Sequence, residues 1–226
     1  MSSKKVVIIN TSASTFKGGN TGVWLEELAA PYYIFKEGGL EVVVASIAGG
    51  PIPIDAGSLG DGFFTDAAKK FMHDGAAVGE LCHSVKIDDI DFGAVDGVYL
   101  SGGHGCCTDF VDSPALKAAI ETVYAAGKPT AADCHGPVAL AQCNKPDGTP
   151  LVAGGPCAGF SNAEEAAVGQ TDNVPFLLED KFKEQGGEYA AGADWNSTIA
   201  VAGNLFTGQN PQSSEELAKA VLAALA

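Results

Sequence analysis

The sequence predicts a three-layer α/β sandwich built on a mostly parallel sheet, and three consecutive segments support this fold class. Lys5–Asn10 (KVVIIN) is an apolar, β-branched run, typical of a strand buried on both faces of a parallel sheet. Gly22–Lys36 then carries apolar residues at helical spacing, and Glu41–Ala48 is again strand-like. A strand, a helix and a second strand in this order indicate a right-handed βαβ unit.

The first helix has an apolar side and two expected irregularities. Its apolar side consists of Trp24, Leu25, Leu28, Tyr32 and Phe35. Pro31 lies inside this pattern and lacks the backbone N–H that a helix uses, so we expect a kink or a break there. Gly38 and Gly39 are expected to end the helix, because glycine tolerates the left-handed conformation of a C-cap.

Residues 49–93 interrupt the alternation of strands and helices. Pro51, Pro53 and several glycines indicate a less regular excursion from the sandwich. Within this excursion we expect one helix, at Asp66–His73.

The second half of the chain returns to the alternating pattern. We expect strands at Val98–Leu100 and Thr130–Asp133, and helices at Ser113–Ala126, Gly136–Gln142 and Val174–Gln185. A hairpin is expected at Val201–Phe206 and a terminal helix from Ser214 onward. Ser113 followed by proline is a suitable N-cap and first-turn pair. Because the sequence shows neither a repeat nor a linker, we expect a single domain over residues 1–226.

The composition excludes several classes of partner. The 226 residues carry a formal charge of -15 and are 46% apolar, which describes a folded, acidic protein. Nucleic acids and anionic membranes are bound by basic patches, so we expect neither as a partner. No apolar run approaches the roughly 20 residues of a membrane helix, and the apolar stretch after MSSKK is too short for a signal peptide. We therefore expect a cytoplasmic protein.

The cysteines are expected to act singly. Six cysteines in a chain of this length do not make a disulfide scaffold, and the absence of a CxxC pair argues against a structural metal site. Cys106 and Cys107, which are adjacent, are best interpreted as two small hydrophobic residues.

Cys134 lies where a strand meets a small-residue turn, in PTAADCHGP, and His135 follows it directly. A sharp strand-to-helix elbow would expose the thiol at the carboxyl end of the sheet, where open α/β sheets place their sites. The N-terminal end of the expected helix would lower the pKa of the thiol and favour the nucleophilic thiolate. A buried structural thiol is the alternative interpretation, and the elbow alone does not decide between them.

Two further segments carry candidate chemistry. In SGGHG, at residues 101–105, successive glycines would let backbone N–H groups approach an oxyanion, although the pattern taken alone favours an ordinary turn at the end of a strand. One carboxyl group of the Glu26–Glu27 pair could project over the carboxyl end of the sheet, where burial beside a thiol would keep it protonated. For Glu26 we expect a solvated helix face instead. His135 is the last histidine of the chain, so any Cys–His chemistry must use His135 or His104, and a glutaminase-type histidine downstream is excluded.

These segments together resemble the ThiJ/PfpI superfamily of the DJ-one type, in its branch of glutathione-independent glyoxalase III enzymes and chaperone-like proteins. The similar segments run in order over nearly the whole chain: TGVWLEELAAPYYIF, SGGHG followed after three residues by Asp109, ADCHGP, GFSNAEE at 159–165 and TGQNPQSS at 207–214. The resemblance implies a flavodoxin-like sandwich, similar to class I glutamine amidotransferases, and usually a homodimer.

The resemblance also implies roles for individual residues. Cys134 would be the nucleophile, with His135 as its partner and Glu165 as the acid of a triad. Glu27, four residues before Pro31, would be the buried glutamate beside the cysteine. The backbone N–H groups of Gly103 and His135 would bind an oxyanion, with Gly102 and His104 in the same substrate-binding loop.

The implied activity is that of a lyase in stress detoxification, which converts the α-oxoaldehydes methylglyoxal and glyoxal to lactate and glycolate without a cofactor or metal. A stress-response chaperone, a cysteine redox sensor, a protein deglycase and a cysteine hydrolase are the alternatives. The chain departs from the superfamily at Asp133, where an apolar residue is usual. An ionised carboxylate there would oppose the thiolate unless it points away or pairs.

Overall fold

The computed structural model describes residues 3–226, along which strands and helices alternate. The strands within this range are β1 (Lys5–Asn10), β2 (Thr15–Phe16), β3 (Gly19–Asn20), β4 (Glu41–Ser46), β5 (Val85–Lys86), β6 (Gly97–Leu100), β7 (Thr130–Asp133), β8 (Pro156–Cys157), β9 (Glu188–Tyr189), β10 (Ile199–Ala202) and β11 (Leu205–Gly208). The α-helices are α1 (Leu25–Glu37), α2 (Asp66–His73), α3 (Gly75–Cys82), α4 (Cys106–Asp109), α5 (Pro114–Ala125), α6 (Asn162–Ala167), α7 (Leu178–Glu184) and α8 (Ser214–Ala224).

Seven of the strands form a central sheet in the order β10-β11-β7-β6-β1-β4-β5. All neighbouring strands are parallel except β10 and β11, which form an antiparallel hairpin. Strand β1 pairs with β4 on one side and with β6 on the other, so the direction of winding reverses beside β1. In open α/β sheets, binding sites form outside the carboxyl ends of the strands at such a reversal. The predicted α/β sandwich with a mostly parallel sheet is confirmed.

Both faces of the sheet are covered, which explains why β1 is apolar at successive positions rather than at alternate ones. Val6 and Ile8 belong to a hydrophobic cluster with helices α1, α2 and α8. Val7 and Ile9 point to the opposite face and belong to a second cluster, which contains α5 and α7. Within residues 3–226, no helix is long and apolar enough to cross a membrane.

Helix α1 runs through Pro31 without the break that the sequence suggested. A proline at this position cannot donate a backbone N–H to the carbonyl oxygen of Glu27, four residues earlier. In the structure the hydroxyl of Ser101 donates to that oxygen instead, at 2.9 Å. The helix ends near the expected glycines, but Gly39 (φ +81°) adopts the left-handed conformation and Gly38 (φ -73°) does not.

One expected helix is absent where it was predicted, behind Cys134. Instead of an α-helix over residues 136–142, the chain forms two short 3₁₀ turns, Gly136–Val138 and Leu140–Gln142. Gly136 is in close contact with β6, since a Cβ there would lie 2.5 Å from the carbonyl oxygen of Leu100. The helices α3, α4 and α6, by contrast, were not predicted.

Candidate functional site

The backbone places Cys134 in a strained turn directly after β7. Its φ of +53° lies in the left-handed region, which is costly for a residue with a Cβ and is found at functional sites. The Cys134 N–H still continues the sheet by donating to the carbonyl oxygen of Gly208 at 3.1 Å. The side chain is 4% exposed. The predicted elbow is therefore present, although no α-helix follows it.

His135 connects the thiol of Cys134 to the carboxylate of Glu165. Its Nδ1 lies 3.4 Å from Cys134 Sγ, and its Nε2 lies 2.8 Å from Glu165 Oε2. An ionised carboxylate can only accept, so Nε2 carries the hydrogen and Nδ1 presents a lone pair to the thiol. Glu165 lies on α6, whose N-terminus is fixed by a capping box between Ser161 and Glu164.

The pKa values of this pair favour a neutral imidazole beside a negative carboxylate at neutral pH. Burial, followed by the neighbouring His104, lowers the pKa of His135 to about 4. For Glu165, burial acts to raise the pKa, but hydrogen bonds from His104 and His135 outweigh it and lower the pKa to about 2. His135 can therefore accept a proton from Cys134, and Glu165 can stabilise the resulting imidazolium.

His104 is a second imidazole on the same carboxylate. Its Nε2 lies 2.8 Å from Glu165 Oε1, and its ring centroid is 4.0 Å from that of His135. Sequence reasoning placed His104 in the substrate-binding loop and did not foresee this pairing. Donor atoms of His104, His135 and Glu165 lie within 4.8 Å of one another and could hold a metal ion. In the present geometry each imidazole instead forms a hydrogen bond to its own carboxylate oxygen.

The glycine loop holds Glu27 beside the nucleophile. The Gly102 N–H donates to Glu27 Oε2 at 2.6 Å, so this N–H group is occupied and does not face the cavity, contrary to the role implied for Gly102. A Cβ on Gly102 would lie 2.6 Å from the same oxygen, which leaves glycine as the residue that fits. Gly103 has a φ of +105°, and its backbone N–H acts to lower the pKa of Cys134.

Burial nevertheless dominates the electrostatics of Cys134. Burial raises the pKa of the thiol well above its usual range, and the charges of Glu27 and Asp133 act in the same direction. The direction of this change in pKa is opposite to the expected lowering, because burial of the thiol outweighs the Gly103 N–H and no α-helix follows the elbow. The thiol is protonated at rest and must lose its proton to His135 as it reacts.

Glu26 also differs from expectation. Instead of lying on a solvated helix face, it is half-buried and accepts a short hydrogen bond from the hydroxyl of Thr65. Burial raises the pKa of Glu26 to about 7, with Thr65 opposing and the charge of Glu215 adding to the rise. Its neighbour Glu27 is fully buried, as the sequence indicated.

A cavity of about 140 Å³ opens onto Cys134. Four aromatic side chains contribute to its walls, and its lining consists of Trp24, Phe63, Gly103, His104, Cys134, His135, Phe160, Val168, Trp195 and Pro211. Phe160 and Trp195 were not predicted as lining residues, although Phe160 lies in the segment GFSNAEE on which the resemblance rests. The arrangement can present a thiol, a base and a buried acid to a small molecule away from bulk water.

Known proteins resemble this chain in both sequence and fold. "Glyoxalase 3" of Candida albicans is 29% identical over 231 residues, which cover 97% of this chain and 98% of that protein. The crystal structure of glyoxalase III from Candida albicans covers 98% of this chain and 97% of its own with a TM-score of 0.89 and 29% identity. Rapid Encystment Protein 24 kDa of Francisella tularensis superposes with a TM-score of 0.93 and 33% identity, covering 99% of both chains.

A family model provides the broader comparison. The model described as the DJ-1/PfpI family matches residues 20–224, which include the elbow, the glycine loop, helix α6 and every strand of the central sheet except β1. This range agrees with the resemblance found in the sequence motifs. The chain belongs to the DJ-1/PfpI family.

Proposed function

We propose that this protein is a glutathione-independent glyoxalase, a lyase that converts methylglyoxal or glyoxal to lactate or glycolate. One observation carries the proposal: a buried thiol in a strained elbow lies between a neutral histidine and a buried carboxyl group, at the end of a small apolar cavity. The glyoxalase names of the similar proteins agree with this assignment.

The first step is the addition of Cys134 Sγ to the aldehyde carbon of the substrate. His135 Nδ1 accepts the thiol proton as the S–C bond forms, and the Glu165 carboxylate stabilises the imidazolium. His135 then gives this proton to the former aldehyde oxygen, and the product is a hemithioacetal. The N–H groups of Gly103 and His135 would stabilise negative charge on that oxygen while it develops.

The second step moves a proton from the hemithioacetal carbon C1 to the neighbouring carbon C2. Glu27 in its carboxylate form, or His135, removes the proton from C1 and leaves an enediolate. The hydroxyl proton on the C1 oxygen moves to the C2 oxygen, and the same group returns the carbon-bound proton to C2, so that C1 becomes a thioester carbon and C2 an alcohol carbon. Water then hydrolyses the thioester and releases the hydroxy acid and the Cys134 thiol. These steps balance without a cofactor.

The cavity and the thiol at its end fit a reaction that needs no external thiol. A cavity of about 140 Å³ has room for a small aldehyde. In this scheme Cys134 takes the place of the glutathione thiol.

The burial of Cys134 also bears on the redox-sensor alternative. Sensor cysteines combine a low pKa with solvent access, whereas Cys134 is 4% exposed and its pKa is raised. The cytoplasmic location and the homodimer remain predictions, and sedimentation of the purified protein would measure the oligomeric state.

The direct test measures methylglyoxal consumption and lactate production by the purified protein in the absence of glutathione. Cys134→Ser removes the proposed nucleophile, and Cys82→Ser is the matched control because Cys82 is an exposed cysteine on α3. We expect many turnovers from the wild type and the control, and none from Cys134→Ser. Stoichiometric loss of methylglyoxal, or an active Cys134→Ser variant, would overturn the proposal.

A further inference from the structure

Asp133 is a buried carboxyl group that the proposed mechanism does not use. Its side chain is 0% exposed, at the end of β7 and immediately before the nucleophile. Oδ2 accepts hydrogen bonds from the hydroxyl groups of Tyr99 and Ser214, both at 2.7 Å. Oδ1 is also buried, and no donor among residues 3–226 reaches it.

Glu27 has a matching arrangement. Its Oε2 accepts the N–H of Gly102 at 2.6 Å, and the weakly donating thiol of Cys134 is within hydrogen-bonding reach of the carboxyl group, whereas Oε1 is buried and forms no standard hydrogen bond within the described part of the chain. The Glu27 and Asp133 side chains are within hydrogen-bonding reach of each other. Two buried carboxylates that each have one unsatisfied oxygen would repel strongly, and a proton between them removes both problems.

We propose that Asp133 is a positioning residue that shares a proton with Glu27 and so prepares Glu27 to carry the proton between substrate carbons. This inference rests on the proposed function. At rest the pair holds one proton and one negative charge. When the shared proton lies on Asp133, Glu27 is a carboxylate and can accept the C1 proton, which leaves the pair with two protons and no charge. Delivery of one proton to C2 restores the resting state.

The surroundings of the pair are consistent with this role. The titratable groups that face it are Tyr99 on β6, Cys106 on α4 and Cys134 after β7, while the Ser214 hydroxyl faces it from α8. Burial raises the pKa of all three titratable groups, so they remain neutral and leave the charge on the carboxyl pair. Burial, and then the charge of Asp133, raises the pKa of Glu27 well above its usual range, and burial raises the pKa of Asp133 to about 7.

The same arrangement explains how the chain accommodates an acidic residue beside its nucleophile. An isolated carboxylate at position 133 would oppose the formation of the Cys134 thiolate. A carboxyl group that is tied by Tyr99 and Ser214 and shares a proton with Glu27 brings at most one negative charge to the site.

Asp133→Asn is the main test, because asparagine keeps an acceptor for Tyr99 and Ser214 and offers an N–H₂ donor to Glu27 Oε1. We expect the pH midpoint of the acid limb of kcat/KM to move up by about one pH unit, since the amide N–H₂ stabilises the Glu27 carboxylate less than the Asp133 O–H that it replaces. Tyr99→Phe removes a donor from the Asp133 carboxylate and should move the same midpoint up. Equal pH profiles in the wild type and Asp133→Asn would overturn the inference.

A second readout does not depend on turnover. The wild-type pair brings one negative charge to the site, and Glu27 alone brings one in Asp133→Asn, so the inference predicts that Asp133→Asn does not lower the pH midpoint of Cys134 alkylation by iodoacetamide. A midpoint about one pH unit lower in Asp133→Asn would show that the wild-type pair carries two negative charges, and would contradict the inference even if the enzyme is active. If the midpoint does not fall but no aldehyde is converted by the wild type, the proposed function fails and the shared proton stands. If Asp133→Asn does not fold, alkylation of Tyr99→Phe, which should move its midpoint upward, decides the question.

Discussion

Replacing Ser101 with alanine tests how Pro31 and the glycine loop are coupled. The Ser101 hydroxyl donates to the carbonyl oxygen of Glu27 at 2.9 Å, and both residues are 0% exposed. Pro31 cannot supply the usual helical N–H to that oxygen. Ser101→Ala therefore leaves a buried acceptor without its donor, which costs about 2 kcal/mol and corresponds to a fall of roughly 4–8 °C in Tm for a domain of this size.

A double-mutant cycle with Pro31→Ala makes this prediction specific. Alanine at position 31 restores a backbone N–H that can donate to Glu27, so Ser101→Ala should cost about 1 kcal/mol less in that background. The assay is urea unfolding followed by circular dichroism for the four proteins of the cycle. Thr122→Ala is a suitable control, because the Thr122 hydroxyl also donates to a helix carbonyl, that of Ala118, but at an exposed site.

The reasoning is refuted if Ser101→Ala costs the same free energy of unfolding with proline and with alanine at position 31. It is also refuted if Ser101→Ala costs no more than Thr122→Ala, which we expect to lie within about 0.5 kcal/mol of the wild type.

Two other substitutions test the electrostatics of the site. Glu26 has a pKa raised from 4.5 to about 7, so its contribution to stability is present below pH 4.5 and is lost as the pH rises through 7. Glu26→Gln should therefore gain stability relative to the wild type between pH 5 and pH 8, by at most about 3 kcal/mol. The prediction is contradicted if urea unfolding gives the same difference in free energy of unfolding between the two proteins at every pH in this range. Glu165→Gln leaves one oxygen to face the two imidazole nitrogens that each lie 2.8 Å from the carboxylate, and it removes the charge that stabilises a His135 imidazolium. We expect kcat/KM for methylglyoxal to fall by about 10³-fold or more, by comparison with the corresponding exchange in a Ser–His–Asp triad, and a loss of less than about tenfold would show that the carboxylate is not needed.

Features carried by local sequence were predicted well. The strand Thr130–Asp133 and the helix Asp66–His73 have the expected bounds, because an apolar run and a capping residue define them locally. Helix α6 was missed although Ser161 and Glu164 form a capping box that is legible in the sequence. The failure behind Cys134 has a different cause, since Gly136 and Pro137 fit a tight turn that packs against β6 as readily as a helix start.

Features that depend on distant contacts were not predictable. Glu26 is half-buried because Thr65, from the excursion at residues 49–93, bonds to it across 39 residues of sequence. The hydrogen bond of His104 to Glu165 spans 61 residues and is created by the approach of α6 to the glycine loop. Sequence motifs could identify these residues as candidates, but tertiary packing decides which of their atoms form hydrogen bonds.

The arrangement of proton-carrying groups around Cys134 follows from the reaction that we propose. That reaction handles two different protons, one from the thiol and one from a substrate carbon. His135, neutral because its pKa is about 4, can accept the thiol proton as the S–C bond forms and return it to oxygen. The C1 proton is far less acidic and needs a stronger base. A fully buried carboxylate is such a base, because water does not solvate and stabilise its charge. Ser101 holds the backbone carbonyl of Glu27, which receives no helical N–H from Pro31, and Gly102 holds its side chain. The proline inside helix α1 thus leaves the Glu27 carbonyl oxygen free for the Ser101 hydrogen bond that holds the second proton carrier in place.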